Sequence, residues 1–146
     1  MALARFANKA QRAARLTGEV NVLLTGDAEL QKLNLQFRHK DEPTDVLSFP
    51  QAQAPLSGTR QKLPLRSQGG DIAISLQTAR VQAAALGHNL LTEVKVLILH
   101  GMLHLAGHDH ETDRGQMLRL ERRLRADLRL PASLLERAAP ARRRPA

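Results

Sequence analysis

The chain contains no cysteine, tryptophan or tyrosine, and its only aromatic side chains among 146 residues are Phe6, Phe37 and Phe49. Without cysteine there is neither a disulfide framework nor a thiolate metal site, which fits a reducing cytoplasm. So few aromatics exclude a row of stacking platforms for unpaired bases, and the core must be aliphatic. Long apolar runs are missing too. Even Val94 to Leu99 extends only six residues before His100, far short of a bilayer span, so no membrane segment is expected. No secretory signal pattern is present. The first eighteen residues are basic and acid-free, as in a mitochondrial presequence, but they lack serine. They read better as a first helix with Leu3, Phe6, Ala10, Ala13 and Ala14 along one face.

Acidic residues are scarce at both ends. Residues 1–18 carry four basic and no acidic side chains and residues 114–146 carry ten arginines against three acids, so the net charge of +8 lies on the flanks. Such flanks point to a polyanion such as RNA, or with less support to an anionic membrane surface. The plainer alternative is arginine-rich helix faces that are simply solvated. Arg142, Arg143 and Arg144, between Pro140 and Pro145, predict a basic disordered tail over residues 140–146. An apolar fraction of 42% then suits one domain over residues 1–139.

Against these absences stands one dense segment, HGMLHLAGHDH, from His100 to His110. Two residues four apart on a helix share a face, so His100 and His104 converge. Tetrahedral zinc needs ligand nitrogens roughly 3.3 Å apart, which such a pair can reach. His110 cannot join them on a continuing helix, because ten residues advance about 15 Å along the axis. Gly107 offers the break, since glycine tolerates the left-handed conformation that ends many helices. The three histidines thus form a candidate metal site with a vacant fourth position. His108 and Asp109 stay open as alternative ligands, turn caps or partners that orient a ligand ring. The pattern is close to the zinc-protease motif HExxHxxGxxH, but Gly101 stands where that motif has its general base, which disfavours peptide hydrolysis.

Elsewhere the patterning gives coarse elements. Glu19 to Thr25 alternates around Val20, Val22 and Leu24 as a strand, and a helix capped by Asp27 follows through Leu30, Leu33 and Phe37 to Arg38. Asp45 to Phe49 is a second strand closed by Pro50, and residues 51–68 form a mobile loop with room for a short strand. Gly69 and Gly70 introduce DIAIS, a third strand with Ile72 and Ile74 on one face. Ser75 caps a helix stopped at Gly87. Thr92 to Ala106 is apolar nearly all round, hence a central buried helix, where two histidines would need partners for their polar nitrogens. Residues 111–128 predict a further helix with its arginines outward, and a short helical turn follows Pro131. There are no repeats. The order implies an α+β fold, a small mixed sheet packed against helices with a zincin-like metal helix.

Three segments together resemble the YbeY family of single-metal endoribonucleases in ribosomal RNA maturation and ribosome quality control. HGMLHLAGHDH is similar to that family's HGxLHLxGxDH signature, PTDVLSFP to its second block and GDIAI to its third, while Asn34 and Arg38 fall where the family carries an asparagine and an arginine. The resemblance implies one Zn2+ per chain held by His100, His104 and His110, catalysis by Arg38 with His100, a single-stranded ribosomal RNA precursor as substrate, ribosomal particles as partners, and a cytoplasmic location. A guanidinium independently suits a phosphodiester, because its planar fork pairs bidentately with phosphate oxygens. The alternative for Arg38 is a cation favoured by a helix C-terminus. Asp45, Ser48 and Asp71 are expected to serve strand-end hydrogen bonds. Family members usually place a strand before the first helix, so the sheet here is expected to lack an edge strand. Two rival functions remain: a zinc metallopeptidase, and a non-catalytic ribosome-assembly factor in which zinc only staples the fold.

Overall fold

The computed structural model describes residues 2–51 and 69–138. Its centre is β3 (Gly70–Ser75), all six residues of which are buried. β1 (Val20–Thr25) pairs parallel to it from Val20 opposite Gly70 to Thr25 opposite Ser75, and β2 (Val46–Pro50) pairs antiparallel from Val46 opposite Ile74 to Pro50 opposite Gly70. The mixed sheet order is therefore β1-β3-β2. A strand buried on both sides needs apolar side chains on both faces, which Ile72 and Ile74 supply on one and Ala73 on the other. Pro50 is tolerated because β2 is an edge, where a missing N–H breaks no central ladder.

The two faces are covered unequally. α2 (Asp27–Arg38) covers one, burying Leu30 and Leu33 against Leu47, Phe49 and Ala73, with Phe37 edge-on to Phe49 at 4.9 Å between ring centroids. The other face carries α1 (Ala2–Ala13), α3 (Leu76–Leu86), α4 (Leu90–Leu105) and α5 (Gln116–Asp127), whose apolar sides join Ile72 and Ile74 in the larger core. α4 is its axis. Val96, Leu97, Ile98, Leu99, Met102 and Leu103 are each at most 1% exposed, as the all-round apolar pattern requires. A short α6 (Leu134–Ala138) ends the described chain.

Local chemistry sets several boundaries differently from the pattern reading. Asp27 is not the cap of α2, since Gly26 takes that position. Its carboxylate instead accepts from the Ser75 and Thr78 hydroxyls, tying α2 to the start of α3, and those bonds hold its pKa below the usual value. Ser75 caps α3 as expected, accepting from the Thr78 N–H. Leu24 is 38% exposed rather than inward, because β1 is an edge and its inward residues are Val20, Val22 and Leu23. The helix expected over residues 111–128 begins only at Gln116. Asp113 accepts from the Gly115 and Met117 N–H groups, and this tight turn uses up the residues that the apolar pattern had assigned to the helix. The expectations of a loop at 51–68 and a tail at 140–146 fall almost wholly outside the described residues.

Candidate metal centre

α4 delivers His100 and His104 one turn apart, and the chain leaves the helix just beyond them. Ala106 is the cap, and Gly107 follows with φ 102°. A side chain at that φ would be strained, and the reversal it permits returns His110 to the pair. One ring nitrogen from each of His100, His104 and His110 lies within 4.8 Å of the others. Ring centroids are 4.7, 5.7 and 5.3 Å apart for the pairs 100/104, 100/110 and 104/110. His108 and Asp109 stand outside this cluster. Asp109 serves the turn, its carboxylate accepting from the Glu111 N–H and its carbonyl from the Thr112 and Asp113 N–H groups.

The donor set fits a divalent cation. His100 is buried, and its Nδ1 lies 2.8 Å from Oε2 of Glu121, a side chain with no solvent exposure. A carboxylate there accepts the Nδ1 proton, fixes the tautomer and leaves a lone pair on Nε2. That Nε2 is 3.1 Å from Nε2 of His104, close to the spacing of two imidazoles on one tetrahedral ion. Burial, then His100 and His110, lower the His104 pKa from 6.5 to about 4, against an opposing pull from Asp109 and the His108 backbone. His104 is therefore neutral near pH 7, the form in which imidazole is a ligand. The other oxygen of Glu121 accepts from the Leu135 N–H at 2.8 Å. Among the described residues no guanidinium or ammonium pairs with Glu121, so an ion at the histidines would supply the charge its buried carboxylate otherwise lacks.

Around the histidines lies an open cleft of about 450 Å³ whose wall includes Arg38, Asp45, Ser48, Glu111 and Leu134. Arg38 ends α2 and is exposed, with no ion-pair partner among the described residues. The last turn of α2 favours its charge, and Arg38 lines the cleft. Asn34, one turn earlier, donates to the Glu42 carbonyl and fixes the loop that leads to β2. The other signature-block residues have structural duties, as expected. Asp45 accepts from the Val46 N–H and from Gln82, Ser48 donates to the Gly101 carbonyl, and Asp71 accepts from Asn21.

Gly101 explains why the protease glutamate is missing. A Cβ at this position would lie 3.0 Å from two carbons of Ile72 and 3.1 Å from the Ser48 Oγ, because α4 rests directly on the sheet there. Glu121 is the functional residue that spacing did not reveal. Its signal was present, since it is an acid on the same stripe of α5 as the buried Met117 and Leu124.

The model of the family described as endoribonuclease YbeY matches residues 1–129. A relative from Solibacter usitatus named endoribonuclease YbeY is 48% identical over 136 residues, covering 93% of this chain and 84% of its own. Another of that name from Koribacter versatilis is 50% identical over 135 residues, covering 92% and 81%. A solution structure of a Thermotoga maritima protein is similar with a TM-score of 0.54 at 25% identity, covering 97% of this chain and 89% of that one.

Proposed function

The chain belongs to the YbeY family of endoribonucleases, and from that premise we propose that it cuts single-stranded ribosomal RNA precursors in the cytoplasm, using one zinc ion held by His100, His104 and His110. The observation that carries this reading is the convergence of three histidine nitrogens within 4.8 Å, in a cleft shared with an unpaired arginine. When bound, the ion supplies Lewis acidity toward a phosphodiester and its nucleophile. The choice of zinc rests on an all-imidazole donor set with no thiolate or clustered carboxylates.

The side chains divide the remaining work. Arg38 pairs its planar fork with oxygens of the scissile phosphate and stabilises charge developing there. Its exposed position lets the guanidinium reach a substrate without first breaking an ion pair. His100 is held in one ring orientation by Glu121, and His104 stays deprotonated because it is buried beside other imidazoles. Gly101 supplies no carboxylate where the protease motif has its base, a Cβ there would crowd Ile72 and Ser48, and the relatives are named endoribonucleases, so the peptidase rival has no support. The domain that does this extends to residue 139, with the arginine-rich residues 140–146 adding sequence-independent attraction for RNA and for ribosomal particles.

The test is His104→Ala, assayed for metal content, for folding by circular dichroism and for cleavage of a single-stranded ribosomal RNA fragment. The folded variant is expected to lose both metal and cleavage. Turnover at the normal rate by a metal-free variant would place the chemistry elsewhere. If metal-stripped protein unfolds entirely and the loaded protein cuts no RNA, the ion is a structural staple.

A further inference from the structure

We propose that a second cavity, between the end of α1 and the outer side of α5, is an RNA subsite that seats a nucleotide flanking the cleaved bond, with Arg15 and Arg123 pairing with backbone phosphate. This rests on the endoribonuclease reading and extends it beyond the metal cleft.

The cavity measures about 470 Å³, comparable with the metal cleft. Ala13, Ala14, Ala106 and Leu120 give it an apolar floor, and Arg15 and Arg123 line it with charge. His108 lines both cavities, so the two adjoin at the turn that carries His110. A strand leaving the metal cleft past that turn would meet the second cavity next.

Several arginines nearby are already engaged. Arg122 and Arg125 of α5 are committed to Glu136, and Arg137 of α6 to Glu93. Arg15 and Arg123 are exposed and make no ion pair or side-chain hydrogen bond among the described residues. They also come from opposite flanks of the sequence, one from the acid-free first eighteen residues and one from the arginine-rich last third. Folding of α1 and α5 onto α4 brings one arginine from each basic flank to the same cavity.

A floor of small aliphatic side chains under two free guanidinium groups suits a ligand that is apolar on one side and anionic on the other. A nucleotide of single-stranded RNA is such a ligand, offering a base face and a phosphate on either side of its sugar. A purely anionic surface, such as a bilayer of acidic lipids, would use the charges and leave the recessed floor empty.

The experiment titrates the metal-loaded protein with a single-stranded 2′-deoxy-substituted oligonucleotide, checked by electrophoresis to stay intact during the titration, at several salt concentrations, and with phosphatidylserine vesicles. Each phosphate contact on a single strand contributes about 0.7 to the slope of log K against log salt, so Arg15→Gln with Arg123→Gln should lower that slope by about 1.4. Lysines at both positions should restore most of it, since the contact needs charge more than fork geometry. A charge-matched pair on α2 and α3, Lys32→Gln with Arg80→Gln, lines neither cavity and should leave the slope in place. An unchanged slope in the folded, metal-loaded Arg15/Arg123 variant overturns the subsite. So does an equal fall in the control pair, or a loss confined to vesicle binding. Those outcomes leave the endoribonuclease reading standing, whereas wild-type protein that neither binds nor cuts RNA overturns that reading first.

Discussion

Two buried carboxylates each hold a histidine in this molecule, and they do opposite things. Glu93, in the first turn of α4, meets Nε2 of His88 at 2.7 Å on one oxygen and Nη1 of Arg137 at 3.0 Å on the other. Glu121 of α5 meets Nδ1 of His100 at 2.8 Å on one oxygen and only a backbone N–H on the other. Neither carboxylate has any solvent exposure. A buried charge needs a counter-charge. At Glu93 the chain provides one, and the result is a closed clamp joining the α3–α4 turn to α6. At Glu121 the described residues provide hydrogen bonds but no guanidinium or ammonium, and the histidine it holds turns its other nitrogen toward two more imidazoles. The same residue pair is thus a fastener in one place and a ligand support in the other, decided by which ring nitrogen is used and by whether a guanidinium is near.

That contrast can be broken experimentally. The largest effect is expected from Glu93→Gln, which strands Arg137, whose Nε and Nη2 already find no partner among the described residues. Stability should fall by about 3 kcal/mol, the cost of leaving a buried charge uncompensated. Chemical denaturation measures it, and metal affinity of the folded fraction should not change. Glu121→Gln should do the reverse, weakening metal affinity about 10- to 100-fold, as expected for loss of the group that orients a ligand ring. Competition with a chelator measures that loss, and an unchanged dissociation constant would reduce Glu121 to a packing residue. Arg38→Ala sharpens the comparison from outside both pairs: cleavage should drop about 100-fold or more with metal content intact, because a group acting on developing charge is lost while the ligands remain.

The smallest effect concerns α6 in acid. Burial raises the pKa of Glu136, but hydrogen bonds from Arg125 and Ser133 outweigh it and bring it from 4.5 to about 2. Between those values the unfolded chain binds the proton and the folded chain does not, so this contribution to stability is complete above pH 4.5 and disappears as pH falls toward 2. Hydrogen exchange of the α6 amides between pH 5 and 2.5 should show protection declining over that window. Constant protection would mean that the Glu93 and Glu121 contacts hold the helix by themselves.

The convergence of the three histidines was legible in the sequence because its geometry is local: a helical i, i+4 pair, a glycine to turn the chain, and one residue to come back. The central helix was legible because it is apolar nearly all round, and the third strand because Ile72 and Ile74 alternate onto one face behind Gly69 and Gly70. The carboxylate supports were not, because Glu93 and Glu121 reach histidines on other turns or other helices, and charge on a buried stripe is visible only once the stripe is known to be buried. Helix starts failed where short polar side chains compete for backbone N–H groups. Asp113 holds the chain in a turn where apolar spacing alone predicts helix, and Asp27 accepts on one oxygen, Oδ1, from the Ser75 and Thr78 hydroxyls at the start of α3 instead of capping its own helix. Leu24 illustrates the same limit for strands, as alternation says which residues share a face but not that the strand lies at the rim.

Glu121 has one further consequence. Its two oxygens belong to a single resonating group, so whatever electron density the Leu135 amide withdraws is density that His100 does not receive. Shortening or remodelling α6 would therefore alter how strongly the His100 imidazole donates, and would also displace Leu134 from the wall of the cleft. Through Glu121 the His100 imidazole is thus coupled to the backbone of α6, 14 residues further along the chain.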